Sequence, residues 1–409
     1  MFKIDEVRTH FPGLDSGAIF FDNPGGTQVA REVMMRMQNY FLYANANHGG
    51  AFRTSQASDA VVLEAREAVA TFLNAARPEE IVFGQNMTSL TLHISRSIAR
   101  LLQPGDEIVV TRLDHDANIA PWLLIAEDRG CEIRWVDFRP EDCTLDMQAL
   151  EAAINERTKL VAIGYASNAV GTINDVRQAV QLTRRVGALS FVDAVQYAPH
   201  KLIDVQELDC DLLACSAYKF FGPHTGILYG KYDLLERLTA YKVRPAGQHT
   251  PDKFETGTQS YESIAGVLGA LEYLAGLGTG EGEKLERREA LARGMQALES
   301  YEEELSLALL AGLQTVPGLK LLGITAAERV GQRVPTFSFT LEGWNSRQVA
   351  ERLAAEDIYV WSGDFYALEA IARLGLENQG GIVRVGLAHY NTAQEIDKLI
   401  SVLKQLQAN

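Results

Sequence analysis

The chain has 409 residues, 47% of them hydrophobic and 22% charged, a composition that excludes disorder and is long enough for two globular domains. Its 38 basic and 53 acidic side chains leave a net charge of -15, which argues against a nucleic-acid or anionic-membrane surface and favours small ligands. The first residues are charged rather than apolar and no later run reaches the roughly 18 apolar residues of a membrane span, so a cytoplasmic protein with no membrane partner is expected.

Residues 5–10 read as a short helix closed by Phe11-Pro12-Gly13. The apolar Ile19-Phe20-Phe21 leads into the tight turn Asp22-Asn23-Pro24-Gly25-Gly26-Thr27. Its paired glycines would let a ligand approach the backbone, although any strand-to-helix turn could use them. After a helix over 31–43 comes a polar loop, 45–55, that carries His48. From 81 to 229 short apolar strands alternate with helical patterns, at 81–83, 107–110, 133–136, 160–163, 189–192, 212–216 and 226–229. That alternation predicts an α/β fold on a mainly parallel seven-stranded sheet covered on both faces, with ligands at the carboxyl ends of the strands.

The polar clusters fall at those ends. Gln85-Asn86-Met87-Thr88-Ser89 opens a helix, where Thr88 and Ser89 either join the free amides in binding phosphate or simply cap the helix. His115 follows the second strand and could stack on a flat ring, move protons, or be structural. Asn168, with Gly171-Thr172, follows the fourth strand. Asp193 ends the fifth, with Gln196 just beyond, and a carboxylate buried there calls for a cationic partner. Ser216-Ala217-Tyr218-Lys219 continues the sixth strand into the turn Phe220-Phe221-Gly222-Pro223. Lys219 is thereby held either as a desolvated amine able to form a Schiff base or as a lysine reaching for solvent. Lys219 and Asp193 reach one sheet edge and together suit pyridoxal phosphate: the lysine takes the aldehyde and the carboxylate keeps the pyridine nitrogen protonated. A buried Asp-Lys salt bridge is the alternative.

Residues 253–259 close the large domain, and 276–282 read as a flexible connection rather than a nucleotide loop, since they follow a helix and not a strand. A long amphipathic helix over 283–314 leads to a smaller α+β domain with strands at 319–322, 336–340, 358–361 and 382–385 and helices at 346–355 and 393–407. The expected division is a large domain over 17–270 and a small one from 1–16 and 283–409. Arg384, in the last strand, could present a fork to a carboxylate or be an exposed edge charge. Cys131, Cys143, Cys210 and Cys215 form no Cys-x-x-Cys pair and the eight histidines are scattered, so neither a disulfide framework nor a metal site is suggested.

Over nearly its whole length the chain resembles the cysteine desulfurase family within the class V aminotransferases, enzymes of fold-type I that bind pyridoxal 5'-phosphate. The resemblance is carried by residues 22–27 and 81–89, His115 with Ala117-Asn118, Asn168 with Gly171-Thr172, Asp193 with Gln196, residues 216–219 and 254–258, and Arg384. It implies that Lys219 carries the cofactor and shuttles protons, that Asp193 pairs with the pyridinium, and that His115 stacks over the ring. It also implies that Thr88 and Ser216 hold the phosphate, with Thr258 supplied by a second subunit, that Asn168 and Gln196 lie near the ring hydroxyl, and that Arg384 and the Gly25-Gly26 turn take the substrate carboxylate. A homodimer with sites at the subunit interface is implied as well.

The chain departs from the desulfurase pattern at two places. Tyr218 stands where a histidine usually precedes the lysine, and it can still donate to phosphate. The stretch 361–368, which includes Tyr366, aligns with the loop that bears the nucleophilic cysteine and contains none. Persulfide transfer needs a thiolate, and a tyrosine hydroxyl is no substitute. The sequence therefore favours a pyridoxal phosphate enzyme that acts on a small amino-acid substrate by β-elimination, as a carbon-sulfur lyase. Transamination or epimerisation, desulfuration with a thiol from elsewhere, and a non-catalytic scaffold are the alternatives.

Overall fold

The computed structural model describes residues 2–280 and 282–408; Met1, Glu281 and Asn409, which fall in the expected domain ends and the 276–282 connection, lie outside the described residues. Its centre is a seven-stranded sheet in the spatial order Ile81–Gly84, Gly226–Gly230, Leu212–Ser216, Leu189–Asp193, Thr158–Gly164, Glu107–Thr111, Glu132–Val136. All strand pairs are parallel except the two made by Gly226–Gly230. Successive side chains of a strand point to opposite faces, and both faces here are buried. Val109, Val161, Ile163 and Val192 pack on one side with the helices Arg53–Leu73, Val176–Arg185 and Tyr261–Gly276. Ile108, Val110, Leu160 and Ala162 pack on the other with Met87–Ala99 and Ala120–Arg129. Gly226 begins the antiparallel strand where a Cβ would overlap the Asn86 backbone, so only glycine lets the strand pass the start of that helix.

A second sheet is antiparallel, in the order Leu319–Leu322, Thr336–Leu341, Ile382–Gly386, Trp361–Gly363. The expected strand at 358–361 is divided. Ile358–Tyr359 pairs in parallel with Ile19–Phe20, whereas Trp361–Gly363 pairs with the last strand of the sheet. The long helix spans Arg287–Gln314 and begins later than expected; ahead of it the Glu283 carboxylate accepts from Gly280 N–H (3.1 Å) and pairs with Arg293 of the helix (2.8 Å). The N-terminal residues distribute across the expected division. Val7, Phe11 and Leu14 belong to the same apolar core as Val109, Val161 and Val192 of the first sheet, while Ile19 and Phe21 pack with the second sheet. Among the described residues no helix is long and apolar enough to cross a membrane.

The Asp22–Gly26 turn is pinned where the two sheets meet. Asn23 Nδ2 donates to Phe20 O (2.9 Å), Gly386 O (2.8 Å) and Asn391 Oδ1 (3.1 Å), and Tyr390 OH donates to Asn23 Oδ1. Arg384, in the strand Ile382–Gly386, is thereby brought to the carboxyl edge of the first sheet.

Candidate active site

At that edge lies a cavity of about 270 Å³. Of the residues expected in a site, Gly25, Thr88, His115, Asn168, Asp193, Gln196, Ser216, Tyr218, Lys219 and Arg384 all line it. Lys219 is buried, with Nζ donating to Pro24 O, which also accepts from Gln196 Nε2 (2.8 Å). Burial and the nearby Arg384 lower its amine to about 7, against a partial opposing pull from Asp193. Asp193 Oδ1 accepts from Val195 N–H (2.9 Å), and burial raises the carboxyl to about 6. No ion pair joins Lys219 to Asp193 among the described residues, so the salt-bridge alternative does not form although both face one cavity.

His115 stands between strand and helix with Nδ1 accepting from Ala117 N–H (3.0 Å), which leaves the ring proton on Nε2. Burial, Lys219 and Arg384 hold it down at about 4, so it stays neutral. Arg384 is 4% exposed; Nη1 donates to Asn168 O (2.9 Å), the guanidinium lies 3.9 Å from the Phe365 ring centroid, and Nε is buried without a partner. Burial brings it down to about 9, with Tyr218 and Asp22 opposing. Asn168 Nδ2 donates to Phe365 O (2.8 Å), while its Oδ1 is also buried and unpartnered.

The start of the helix Met87–Ala99 supplies donors. Met87 N–H goes to Ser216 Oγ (3.0 Å) and Ser89 N–H to Asn86 Oδ1 (2.9 Å), while Thr88, exposed in the lining, keeps its amide and hydroxyl free of partners among the described residues.

Three expected residues are not in the lining. Ser89 closes a capping box with Asn86, its Oγ accepting from Asn86 N–H (3.3 Å), so capping has claimed it. Gly26 packs beside the Tyr218 ring, and the Gly25 and Gly26 amides both close the turn itself, donating to Asp22 O and Asn23 O. Thr258 lies with Ser89 in an adjoining cleft of about 760 Å³.

Sequence reasoning assigned no role to Asp22, Asp114 and Asn174. Asp22 Oδ1 and Asn174 Oδ1 are buried without partners, and burial raises Asp22 to about 6. Asp114 accepts from Thr111 Oγ1 and Asn118 Nδ2 (2.8 Å), and burial raises it to about 7, with the neighbouring Asp193 adding to the shift. A carboxylate directly before His115 was the available signal.

None of the four cysteines is in the lining. Cys215 ends its side chain in the core, and burial pushes the thiol up.

The donor set fits pyridoxal phosphate: a buried amine with a weakly held proton, a separate carboxylate, a neutral imidazole, a helix start with free donors, and orphaned polar atoms. No group of acidic, histidine or cysteine side chains among the described residues could hold a metal ion.

The class V aminotransferase family model matches residues 19–399. An aminotransferase-like protein, FGM3, of Gibberella zeae is 34% identical, covering 99% of this chain and 98% of that protein. A cysteine desulfurase of Pectobacterium carotovorum is 32% identical, with 99% and 98% covered. The apo structure of a cysteine desulfurase from Thermococcus onnurineus superposes with a TM-score of 0.88 at 26% identity, covering 98% of this chain and 97% of the other. The chain belongs to the class V aminotransferases, a family of pyridoxal phosphate enzymes that includes the cysteine desulfurases.

Proposed function

We propose that the protein acts on an amino acid as a carbon-sulfur lyase, by β-elimination that needs no protein thiol. The observation that carries this reading is one cavity that holds a buried amine with a weakly held proton and a guanidinium with donors to spare, but no cysteine. Lys219 would hold the cofactor at its aldehyde, Asp193 at the ring nitrogen, His115 over the ring, and Asn168 and Gln196 near the ring hydroxyl. Thr88, Ser216 and Tyr218 would hold the phosphate. When bound, pyridoxal phosphate supplies an electron sink for the charge left at the substrate α-carbon.

The chain's own residues supply the rest. Arg384 binds the substrate carboxylate through donors that its single bond to Asn168 leaves free. Lys219 Nζ, neutral above about 7, takes the α-proton. His115 contributes a neutral Nε2–H and adds no charge to the site. The electron pair left at Cα then forms the Cα=Cβ bond as the Cβ–S bond breaks with its own pair leaving on sulfur; the thiolate takes up a proton, and the released 2-aminoacrylate reacts with water to give pyruvate and ammonia.

Incubation with a panel of cysteine, cystine and cysteine S-conjugates should yield pyruvate, ammonia and the free thiol or sulfide from at least one of them. Transfer of an amino group to a keto acid with no pyruvate would replace elimination with transamination.

We infer further that two copies of the chain form a homodimer. Thr258 lies outside the Lys219 cavity, and Met34, Met35, Phe41, Leu42 and Tyr43 are exposed along one helix. Sedimentation should give twice the chain mass, and Thr258→Ala should weaken cofactor retention; a monomer with full activity would overturn this.

A further inference from the structure

The cavity leaves little space beyond the cofactor. Its volume of about 270 Å³ is small, below the range of roughly 300–1,000 Å³ usual for a ligand site. With a ring cofactor and the backbone end of an amino acid anchored at Arg384 in that volume, the substrate's side chain would extend towards the mouth. The mouth is aromatic. Trp361 and Tyr366 both line the cavity and are 49% and 70% exposed. Phe365, between Arg384 and Tyr366, completes the set.

These rings are held in place. Phe365 and Tyr366 both have φ of 57°, a left-handed conformation that residues with a Cβ rarely adopt. It is fixed by Asn168 Nδ2 donating to Phe365 O (2.8 Å), Asp116 N–H to Tyr366 O (2.7 Å) and Tyr366 N–H to Asp364 Oδ1 (2.9 Å). The Tyr366 ring stacks on His115, with centroids 5.5 Å apart and planes at 26°. Trp361 stands against Gly25, where any Cβ would overlap its indole. Charge offers no competing partner. The lining contributes Lys219 and Arg384 as cations, both already engaged in the proposed reaction, and Arg112, just before the lining residue Leu113, is ion-paired to Glu369.

We propose that Trp361 and Tyr366 determine specificity, and that the substrate is a cysteine thioether with an aromatic or bulky apolar group on sulfur, not cysteine or a dicarboxylic amino acid. This deepens the elimination reading and rests on it for the identity of the bond broken, but the binding preference stands apart from the reaction. The test therefore measures binding first, by calorimetry on the cofactor-loaded protein, with two amino acids that carry no sulfur leaving group: 2-amino-4-phenylbutanoate and 2-aminobutanoate. The phenyl compound should bind more tightly by about tenfold or more, the worth of one buried ring against aromatic neighbours. Tyr366→Ala and Trp361→Ala should each shrink that ratio, by weakening the phenyl compound more than 2-aminobutanoate. Equal affinities, or a ratio indifferent to both substitutions, overturn the proposal. Pyruvate release from S-benzylcysteine and S-methylcysteine is then assayed separately. The same preference in kcat/KM supports the proposal, a preference for the methyl compound overturns it, and pyruvate from neither with the binding ratio intact removes elimination while the specificity assignment stands.

Discussion

Replacing Lys219 with methionine should stabilise the apoprotein near neutral pH, and the advantage should fade as pH rises. In the folded chain the amine is lowered to about 7 by burial, whereas in the unfolded chain it titrates near its ordinary 10.5. Between those values the unfolded chain binds more protons, so the contribution of Lys219 to stability climbs by about 1.4 kcal/mol per pH unit. Across the whole interval that is on the order of 5 kcal/mol, a large part of an ordinary domain's stability. Methionine has a similar length and no charge. The gap between variant and wild type should thus be widest at and below pH 7 and should close towards pH 10. Lys219 also biases Asp193 and His115, but these titrate at about 6 and 4, below the window, and Arg384, brought down to about 9, titrates in both proteins where Lys219 is already neutral and so cancels in the gap. Urea denaturation of both apoproteins at pH 7.5, 8.5 and 9.5 reads the slope. A gap that is constant, or that widens as pH rises, refutes a desolvated amine and points to an ordinary charged lysine.

Arg384→Ala should lower kcat/KM by about 10²- to 10³-fold, the cost of losing a buried charged contact to a carboxylate, while the cofactor remains bound. Amino-acid titrations followed in the visible spectrum would show it, and unchanged affinity would move the carboxylate site elsewhere. Asp193→Asn should slow exchange of the substrate α-proton with solvent by about 10²-fold or more, because a neutral amide cannot hold a proton on the ring nitrogen; exchange in deuterated water, followed by NMR, measures it. Changing Cys131, Cys143, Cys210 and Cys215 together to alanine should leave turnover intact, since none lines the cavity. Loss of sulfur release with the fold retained, judged by circular dichroism, would restore a protein thiol to the reaction.

Much of this arrangement could be read before any coordinates. Most strands of the first sheet are short and apolar, and all but the edge strand Glu132–Val136 are largely buried on both faces, so their composition identified them without knowledge of their partners. Asp193 was legible because it ends such a strand and Lys219 because it sits in the turn just after another, and strand ends in this class of fold share one edge.

What escaped the sequence depended on distant pairings. The 358–361 segment looks like one strand, but Ile358–Tyr359 follows Ile19–Phe20 and Trp361–Gly363 follows the Ile382–Gly386 strand, and only the folded chain splits them. Thr88 and Ser89 are chemically equivalent candidates for phosphate. Their roles separate once Asn86 takes Ser89 into its capping box and leaves Thr88 in the lining. Asp22, Asp114 and Asn174 are unremarkable in sequence; unpartnered buried oxygens mark Asp22 and Asn174, and burial beside Asp193 marks Asp114.

The most direct measurement is the visible absorption of the purified protein beside that of Lys219→Ala. A band at about 410–430 nm, where a protonated pyridoxal imine absorbs, is expected for the wild type, and its loss when Lys219 is replaced even though the variant folds. A band that survives the substitution unchanged, or a folded wild-type protein that shows no band after incubation with pyridoxal phosphate, would contradict it.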